Sequence, residues 1–317
     1  MLLTRFFAAT ALLFSLLLSS VQAAQPVVET SQLAQQLAET DAMQIIDIRS
    51  WEEYAEGHIP GAISAPYGQW RGPAHNPGQL SDNAYFEQLL RQLGLTAHQP
   101  IVVYSSGSDQ TDFGAAARVY WTLKYLGLTE LSVLNGGFAQ WQQAKLPVSQ
   151  HATQFPSSQL SVTNNANLVI FKEELAEKIA QQDTNYQLLD ARPPNFYLGK
   201  IKAPTASTTG TIATADNTPF SQWFKEDDTR LRPTAEIKAL VQNQGLDTAA
   251  ETVSFCNTGH WAAINWFVLS EVAEVPNVRL YPASLAEWTQ AEESLPMANT
   301  PSRLEQIKHK FSQLITE

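Results

Sequence analysis

Short apolar runs alternate with stretches of helical period along this chain, and the order of that alternation occurs twice. In the first half, Leu33, Leu37 and Ala38 mark a helix. Gln44-Ile-Ile-Asp47-Ile-Arg49 then reads as a short strand ending in Asp-x-Arg. A helix over 83–93 precedes the buried strand Ile101-Val-Val-Tyr-Ser105, and a helix over 113–125 and a strand over 131–134 follow. The second half repeats the sequence of events. Leu175, Ile179 and Ala180 mark a helix, and Gln187-Leu-Leu-Asp190-Ala-Arg192 is the strand with the same ending. Then come a helix over 234–244, a strand over 252–255, an apolar helix over 262–272 and a strand over 277–281. Smaller echoes agree. Gly57-His-Ile-Pro-Gly-Ala-Ile-Ser64 is matched loosely by Gly199-Lys-Ile-Lys-Ala-Pro-Thr-Ala206. Leu134-Asn-Gly-Gly-Phe138-Ala-Gln-Trp141 is matched by Tyr281-Pro-Ala-Ser-Leu285-Ala-Glu-Trp288.

Strands joined by crossover helices build parallel sheets, because the crossover returns the chain to the same sheet edge in the same direction. The expected fold is therefore α/β, with two domains, each a mostly parallel sheet covered by helices on both faces. The domains are placed at 25–149 and 168–300. Residues 150–167, rich in Ser, Thr, Gln and Asn without sustained periodicity, read as the linker between them. A C-terminal helix is expected within 301–317, where Leu304, Ile307, Phe311, Leu314 and Ile315 form one apolar stripe. Residues 1–24 have the form of a secretory signal peptide: Arg5, an apolar run over 6–18, then a small-x-small site near Ala23. The run is too short to span a bilayer comfortably. The expectation is export to the periplasm and no membrane attachment after cleavage.

Composition narrows the partners. The chain has 20 Lys and Arg against 31 Asp and Glu, a formal charge of −11, and no basic block, which argues against nucleic acid. A single cysteine excludes an internal disulfide. No spaced His/Cys/Asp/Glu cluster suggests a metal, and no Gly-rich loop suggests a nucleotide, so no cofactor is expected.

That cysteine is the candidate for chemistry. Cys256 directly follows the strand over 252–255, and Asn257, Thr258, Gly259, His260, Trp261 and Ala262 lead into the apolar helix. A tight strand-to-helix loop turns backbone N–H groups inward above the positive end of a helix dipole, which binds anions and stabilises a thiolate. The competing reading is an inert buried cysteine at a strand end. In the first half the same place holds Ser105. A phosphate-cradling Cys-x5-Arg loop is disfavoured, since the sixth residue after Cys256 is Ala262.

Together these motifs resemble the tandem-domain rhodanese family of thiosulfate and mercaptopyruvate sulfurtransferases, in an exported bacterial form. The resemblance runs from about residue 27 to 297. It rests on Asp47-x-Arg49 with Gly57-His58-Ile59-Pro60-Gly61-Ala62, on Asp190-Ala-Arg192 with Tyr197-Leu198-Gly199, on Thr218-Pro219-Phe220, and on the cysteine loop. It implies a catalytically silent first domain and a Cys256 that carries sulfur as a persulfide, stabilised by the N–H groups of residues 257–262. The implied partners are a small anionic sulfur donor, of thiosulfate or 3-mercaptopyruvate type, and a thiol, cyanide-like or protein acceptor. The alternatives are a sulfur- or selenium-carrying binding protein and an inactive rhodanese-like interaction module.

The loop departs from the thiosulfate-using members of that family, which commonly carry basic side chains there and an Arg before the Tyr-Leu-Gly. This chain has Asn257, Thr258 and His260 in the loop and Phe196 before Tyr197. A weakly cationic, crowded pocket is therefore expected. Arg192 reads first as the partner of Asp190 and second as an anion contact. Lys200 reads as an anion contact or a solvated surface lysine. His260 is a hydrogen-bond donor to a bound anion or a packing group, Trp261 a wall of the pocket, and His58 a residue that fixes a turn.

Overall fold

The computed structural model describes residues 24–40, 42–97 and 99–301. The leader over residues 1–23 and the expected C-terminal helix lie outside the described residues.

The first domain is a five-stranded parallel sheet. Its strands are β1 (Val27–Val28), β2 (Gln44–Asp47), β3 (Ala62–Ser64), β4 (Ile101–Tyr104) and β5 (Leu131–Leu134), ordered β1-β5-β4-β2-β3. All residues of β2, β4 and β5 are buried, as expected of a sheet covered on both faces. Its helices are α1 (Thr30–Glu39), α2 (Trp51–Glu56), α3 (Asn83–Gln92), α4 (Phe113–Tyr125) and α5 (Gly137–Gln143). Side-chain caps start two of them: Ser50 accepts from the Glu53 N–H at α2, and Asp82 from the Tyr85 N–H at α3.

The second domain repeats the plan with β6 (Tyr186–Asp190), β8 (Asp216–Asn217), β9 (Glu251–Phe255) and β10 (Val278–Leu280), parallel and ordered β10-β9-β6-β8. Between β6 and β8 lies β7 (Thr211–Ile212), which pairs antiparallel with β11 (Met297–Ala298). The helices are α6 (Lys172–Ala180), α7 (Pro194–Tyr197), α8 (Thr234–Asn243), α9 (Trp261–Phe267) and α10 (Ser284–Trp288). The helix expected over 262–272 is regular only as far as Phe267; Val268–Val272 widens into a π-helical turn.

Residues 150–167 have little regular structure but lie along the first domain. The Ser158 N–H donates to Arg91 O and the Thr163 N–H to Leu126 O, while Phe155, Leu160 and Val162 pack on the core.

The domains share one apolar seam. Helix α4 of the first lies against α9 of the second. The Tyr120 and Phe267 rings meet edge to face at 4.9 Å, and Phe113 touches Phe224 and Phe267 at 5.6 and 5.7 Å. The Tyr120 hydroxyl donates to Glu271 at 2.6 Å. A continuous buried cluster across two domains resists the relative motion that small polar interfaces permit. First-domain side chains are thereby held in fixed positions against the second domain's loops.

Candidate active site

Register brings the chemistry together. Phe255 pairs with Asp190 across β9 and β6, so Cys256 and the Asp190–Arg192 turn leave the sheet side by side, at the carboxyl end of a central strand. Cys256 is a free thiol and 1% exposed. Three surface clefts of about 400, 530 and 430 Å³ are lined by none of residues 256–262.

The loop is held from below by Ser284. Its hydroxyl accepts from the N–H groups of Cys256 and Gly259, each at 3.1 Å, and donates to Tyr281 O at 2.8 Å. Ser284 has φ of +54°, a left-handed conformation that costs a non-glycine residue of order 1 kcal/mol. Two satisfied loop amides offset that cost. The Leu285 and Ala286 N–H groups then donate to the carbonyls of Cys256 and Asn257 at 3.2 and 2.9 Å. One expectation is corrected here: the amides of residues 257–262 do not all serve the sulfur, because that of Gly259 belongs to Ser284. Gly259 itself has φ of +69°, and a Cβ there would stand 2.2 Å from Pro282 O and 2.3 Å from Arg118 Nη1, so only glycine fits.

Arg192 is buried beneath the loop. Its Nε and Nη2 hold the Asp190 carboxylate at 2.6–3.1 Å, Nη2 also reaches Gly210 O, and Nη1 donates to Asn257 Oδ1 at 3.3 Å. Its fork is thus engaged with the protein, and it orients Asn257. Lys200 is exposed on the turn after α7, with its backbone N–H on Asn195 O. Among the described residues it makes no side-chain hydrogen bond or ion pair with the loop. Trp261 stacks on Phe220 at 5.1 Å and meets the edge of Phe196 at 5.8 Å, forming an aromatic wall. Thr258 offers its carbonyl to Arg71, and Ala262 is buried at the start of α9 with its carbonyl on Ser254 Oγ.

His260 faces the first domain. Its Nε2 lies 2.8 Å from Thr111 O, which can only accept, so Nε2 carries the proton and Nδ1 accepts from the Tyr67 hydroxyl at 2.9 Å. Burial, then the positive charges of Arg71 and Arg118, push its pKa down to about 4, against the opposing pull of the Thr111 carbonyl and Asp109. The ring is neutral at pH 7 and both nitrogens are occupied.

Four residues at this site escaped sequence reasoning: Tyr67, Arg71, Arg118 and Ser284. Arg71 Nη2 donates to Thr258 O at 2.7 Å. Arg118, 0% exposed on α4, donates from Nη1 to Gly259 O and Pro282 O and from Nη2 to Gly78 O. The expectation of a weakly cationic pocket is therefore corrected: the cations come from the other domain. Signals for these residues were present. Pro66-Tyr-Gly-Gln-Trp-Arg71 and Pro219-Phe-Ser-Gln-Trp-Phe224 are one more repeat, and Arg118 is a lone charge inside Phe113-Gly-Ala-Ala-Ala-Arg-Val-Tyr-Trp121. Ser284 stands at the position of Gly137 in the repeat, and Gly137 also has positive φ, +60°.

Comparison with known proteins agrees with this fold. The rhodanese-like domain model matches the chain twice, over residues 29–144 and 171–291. The 3-mercaptopyruvate sulfurtransferase of Escherichia coli K12 is 28% identical over 241 residues, covering 75% of this chain and 82% of that protein. The crystal structure of SseA from Escherichia coli, described as a 3-mercaptopyruvate sulfotransferase, superposes with a TM-score of 0.69 at 25% identity, over 83% of this chain and all of that one. An anaerobic ergothioneine biosynthesis enzyme from Chlorobium limicola shares the fold, with a TM-score of 0.75 at 19% identity over 87% of this chain and 71% of that one. With two matched domains that together span most of its length, the chain belongs to the rhodanese-like family.

Proposed function

We propose that the protein is a sulfurtransferase that moves sulfane sulfur from a small anionic donor to a thiophilic acceptor through a persulfide on Cys256. The observation that carries this reading is the placement of the chain's sole cysteine. It sits at the end of β9, in a loop tied down by Ser284 and α10. In the first step the Cys256 thiolate attacks the outer sulfur of thiosulfate. The new Cys–S–S⁻ bond forms as the S–S bond of the donor breaks, and sulfite leaves with the bonding pair. With a donor of the 3-mercaptopyruvate type, the carbon–sulfur bond breaks instead, and the thiol proton ends on the carbon of pyruvate. In the second step a thiolate or cyanide attacks the terminal sulfur and restores the Cys256 thiolate. The relatives named as mercaptopyruvate sulfurtransferases support this class of donor.

The loop contributes in two ways. Backbone N–H groups near the sulfur favour its anionic states, and the Trp261, Phe220 and Phe196 rings keep water from part of the site. Ser105 lacks an accessible thiolate, so the first domain takes no sulfur in this reading. The leader-like residues 1–24 support action outside the inner membrane, in the periplasm.

Intact mass spectrometry after treatment with thiosulfate or 3-mercaptopyruvate tests the proposal. The wild type gains the mass of one sulfur atom, and Cys256→Ala gains none. An undiminished adduct on Cys256→Ala, or a wild type that takes no sulfur from either donor, removes the mechanism.

A further inference from the structure

Arg118 presents a physical problem. It is 0% exposed, and among the described residues no carboxylate lies within ion-pair distance of it. Its Nη groups meet three backbone carbonyls, two of them in or beside the cysteine loop, and its Nε is buried without a partner. Arg71 repeats the pattern on the same loop: Nη2 sits on Thr258 O, while Nη1 is buried and unpartnered. Two like charges at one loop repel, and carbonyl dipoles with the rings of Tyr67 and Trp121, each 5.2 Å from a guanidinium, are a poor substitute for the hydration each has lost. Burial and the charge of Arg71 together press the Arg118 pKa down to about 9, while Tyr67 and Cys256 act to raise it. The loop carbonyls that Arg71 and Arg118 hold belong to Thr258 and Gly259, the second and third residues after Cys256.

The repeat shows that these charges belong to the cysteine side of the seam only. Arg71 corresponds to Phe224 in the second domain, which packs on Phe113. Arg118, in Ala115-Ala116-Ala117-Arg118, corresponds to Asn265 in Ala262-Ala263-Ile264-Asn265. Asn265 is neutral, accepting from the Trp223 indole and donating to Thr218 O. Arg71 and Arg118 of the serine-bearing domain therefore both have uncharged counterparts in the domain that carries the thiol.

We propose that Arg71 and Arg118, both carried by the first domain, are the counter-cations of the Cys256 site, balancing anionic sulfur there and drawing anionic reagents to it across the domain seam. They are positioning residues, acting through the loop carbonyls and through their charge. The inference rests on Cys256 being the reactive sulfur and explains why a domain without a thiol is retained beside one that has it. It also selects the substrate class at the level of charge: the site favours anionic sulfur compounds over neutral ones of equal size.

Alkylation of the full-length protein separates charge from fold, because iodoacetate and iodoacetamide attack the same thiolate and differ mainly in charge. Their rate ratio at Cys256 cancels both the thiolate fraction and the accessibility of the sulfur. In the wild type the iodoacetate-to-iodoacetamide ratio is expected to exceed that of free glutathione by about tenfold or more, the size of one partly screened charge contact. Arg71→Gln should remove most of that excess, Arg71→Lys should keep it within about threefold, and Arg118→Gln should act in the same direction as Arg71→Gln. A wild-type ratio at or below that of glutathione overturns the proposal without any variant. So does an unchanged ratio in folded Arg71→Gln. Failure of sulfur loading in the wild type would instead strike the persulfide reading, and the alkylation ratio would still report the charge.

Discussion

The two strand-end loops of this molecule, one after β4 and one after β9, start from the same plan and end in different states. Both sit beside an Asp-x-Arg turn with closely matching geometry: Arg49 holds Asp47 as Arg192 holds Asp190, each with a 2.6 Å contact from Nη2. The differences begin with what each arginine has left to offer. Arg192 turns Nη1 to Asn257 in the cysteine loop, whereas the Arg49 guanidinium lies over the Phe138 ring at 3.8 Å. The first loop is closed by its own acid, since the Gly107 N–H donates to Asp112 Oδ2 at 2.6 Å. An anion-binding turn that already holds a carboxylate has no charge left to neutralise. The second loop has no such internal acid and instead meets Arg71 and Arg118.

The floor of each loop differs as well. Gly137 lies under the first, and a Cβ there would stand 2.5 Å from Ser105 O and 2.7 Å from Gly107 N. Ser284 lies under the second, and its side chain is what the loop is built on. The same left-handed backbone position is therefore a close approach in one domain and a hydrogen-bond anchor in the other. The two loops thus differ by more than the exchange of sulfur for oxygen.

The comparison can be broken most directly at the reactive atom. Cys256→Ser makes both loops carry a hydroxyl and is expected to lower sulfur transfer to the uncatalysed background, a loss of at least about a thousandfold; residual turnover above that level would place chemistry elsewhere. Next comes the loop floor. Ser284→Ala leaves two buried amides without an acceptor and keeps the strained φ, so a loss of about 3 kcal/mol in folding stability is expected, read from the denaturant midpoint. Ser284→Gly relieves the strain and should cost less than Ser284→Ala. The reverse order would show that the backbone at 284 carries no strain, and an unchanged midpoint in Ser284→Ala would show that the hydroxyl is not the anchor.

The seam offers a pH test. His260 has a folded pKa of about 4 against an ordinary 6.5, so below pH 6.5 the unfolded chain binds the proton first. Stability is unaffected by this group above that pH. It then falls as the pH drops toward 4, by about 2 kcal/mol at pH 5. Thermal or chemical unfolding followed between pH 7 and 4.5 should show that slope in the wild type and lose it in His260→Gln. An identical slope in the variant would assign the effect to other groups. The smallest effect belongs to the first loop. Ser105→Ala should change sulfur transfer by less than about twofold, and Ser105→Cys should add no second sulfur to the protein, because Asp112 already occupies the amide of Gly107. A second sulfur adduct on Ser105→Cys would show that the exchange of one atom is enough.

The doubled architecture was legible in sequence because it is written in local terms. Strand and helix periods, the paired Asp-x-Arg endings and the position of Cys256 before an apolar helix each depend on residues a few places apart, and the described sheets follow that order. Locally determined detail survived least well where packing overrides propensity, as at Val268–Val272, where α9 gives way to a wider turn. The charge of the site was not local at all. Judged by its own residues the cysteine loop carries no Lys or Arg, yet Arg71 and Arg118 stand 187 and 141 positions away in sequence from the loop carbonyls they meet. The chain by itself determined which elements form, how they repeat and where the sulfur sits. Only the packing of the two domains decided which charges meet the cysteine loop, because electrostatic neighbours are set by distance in space and the seam joins residues that no periodicity relates.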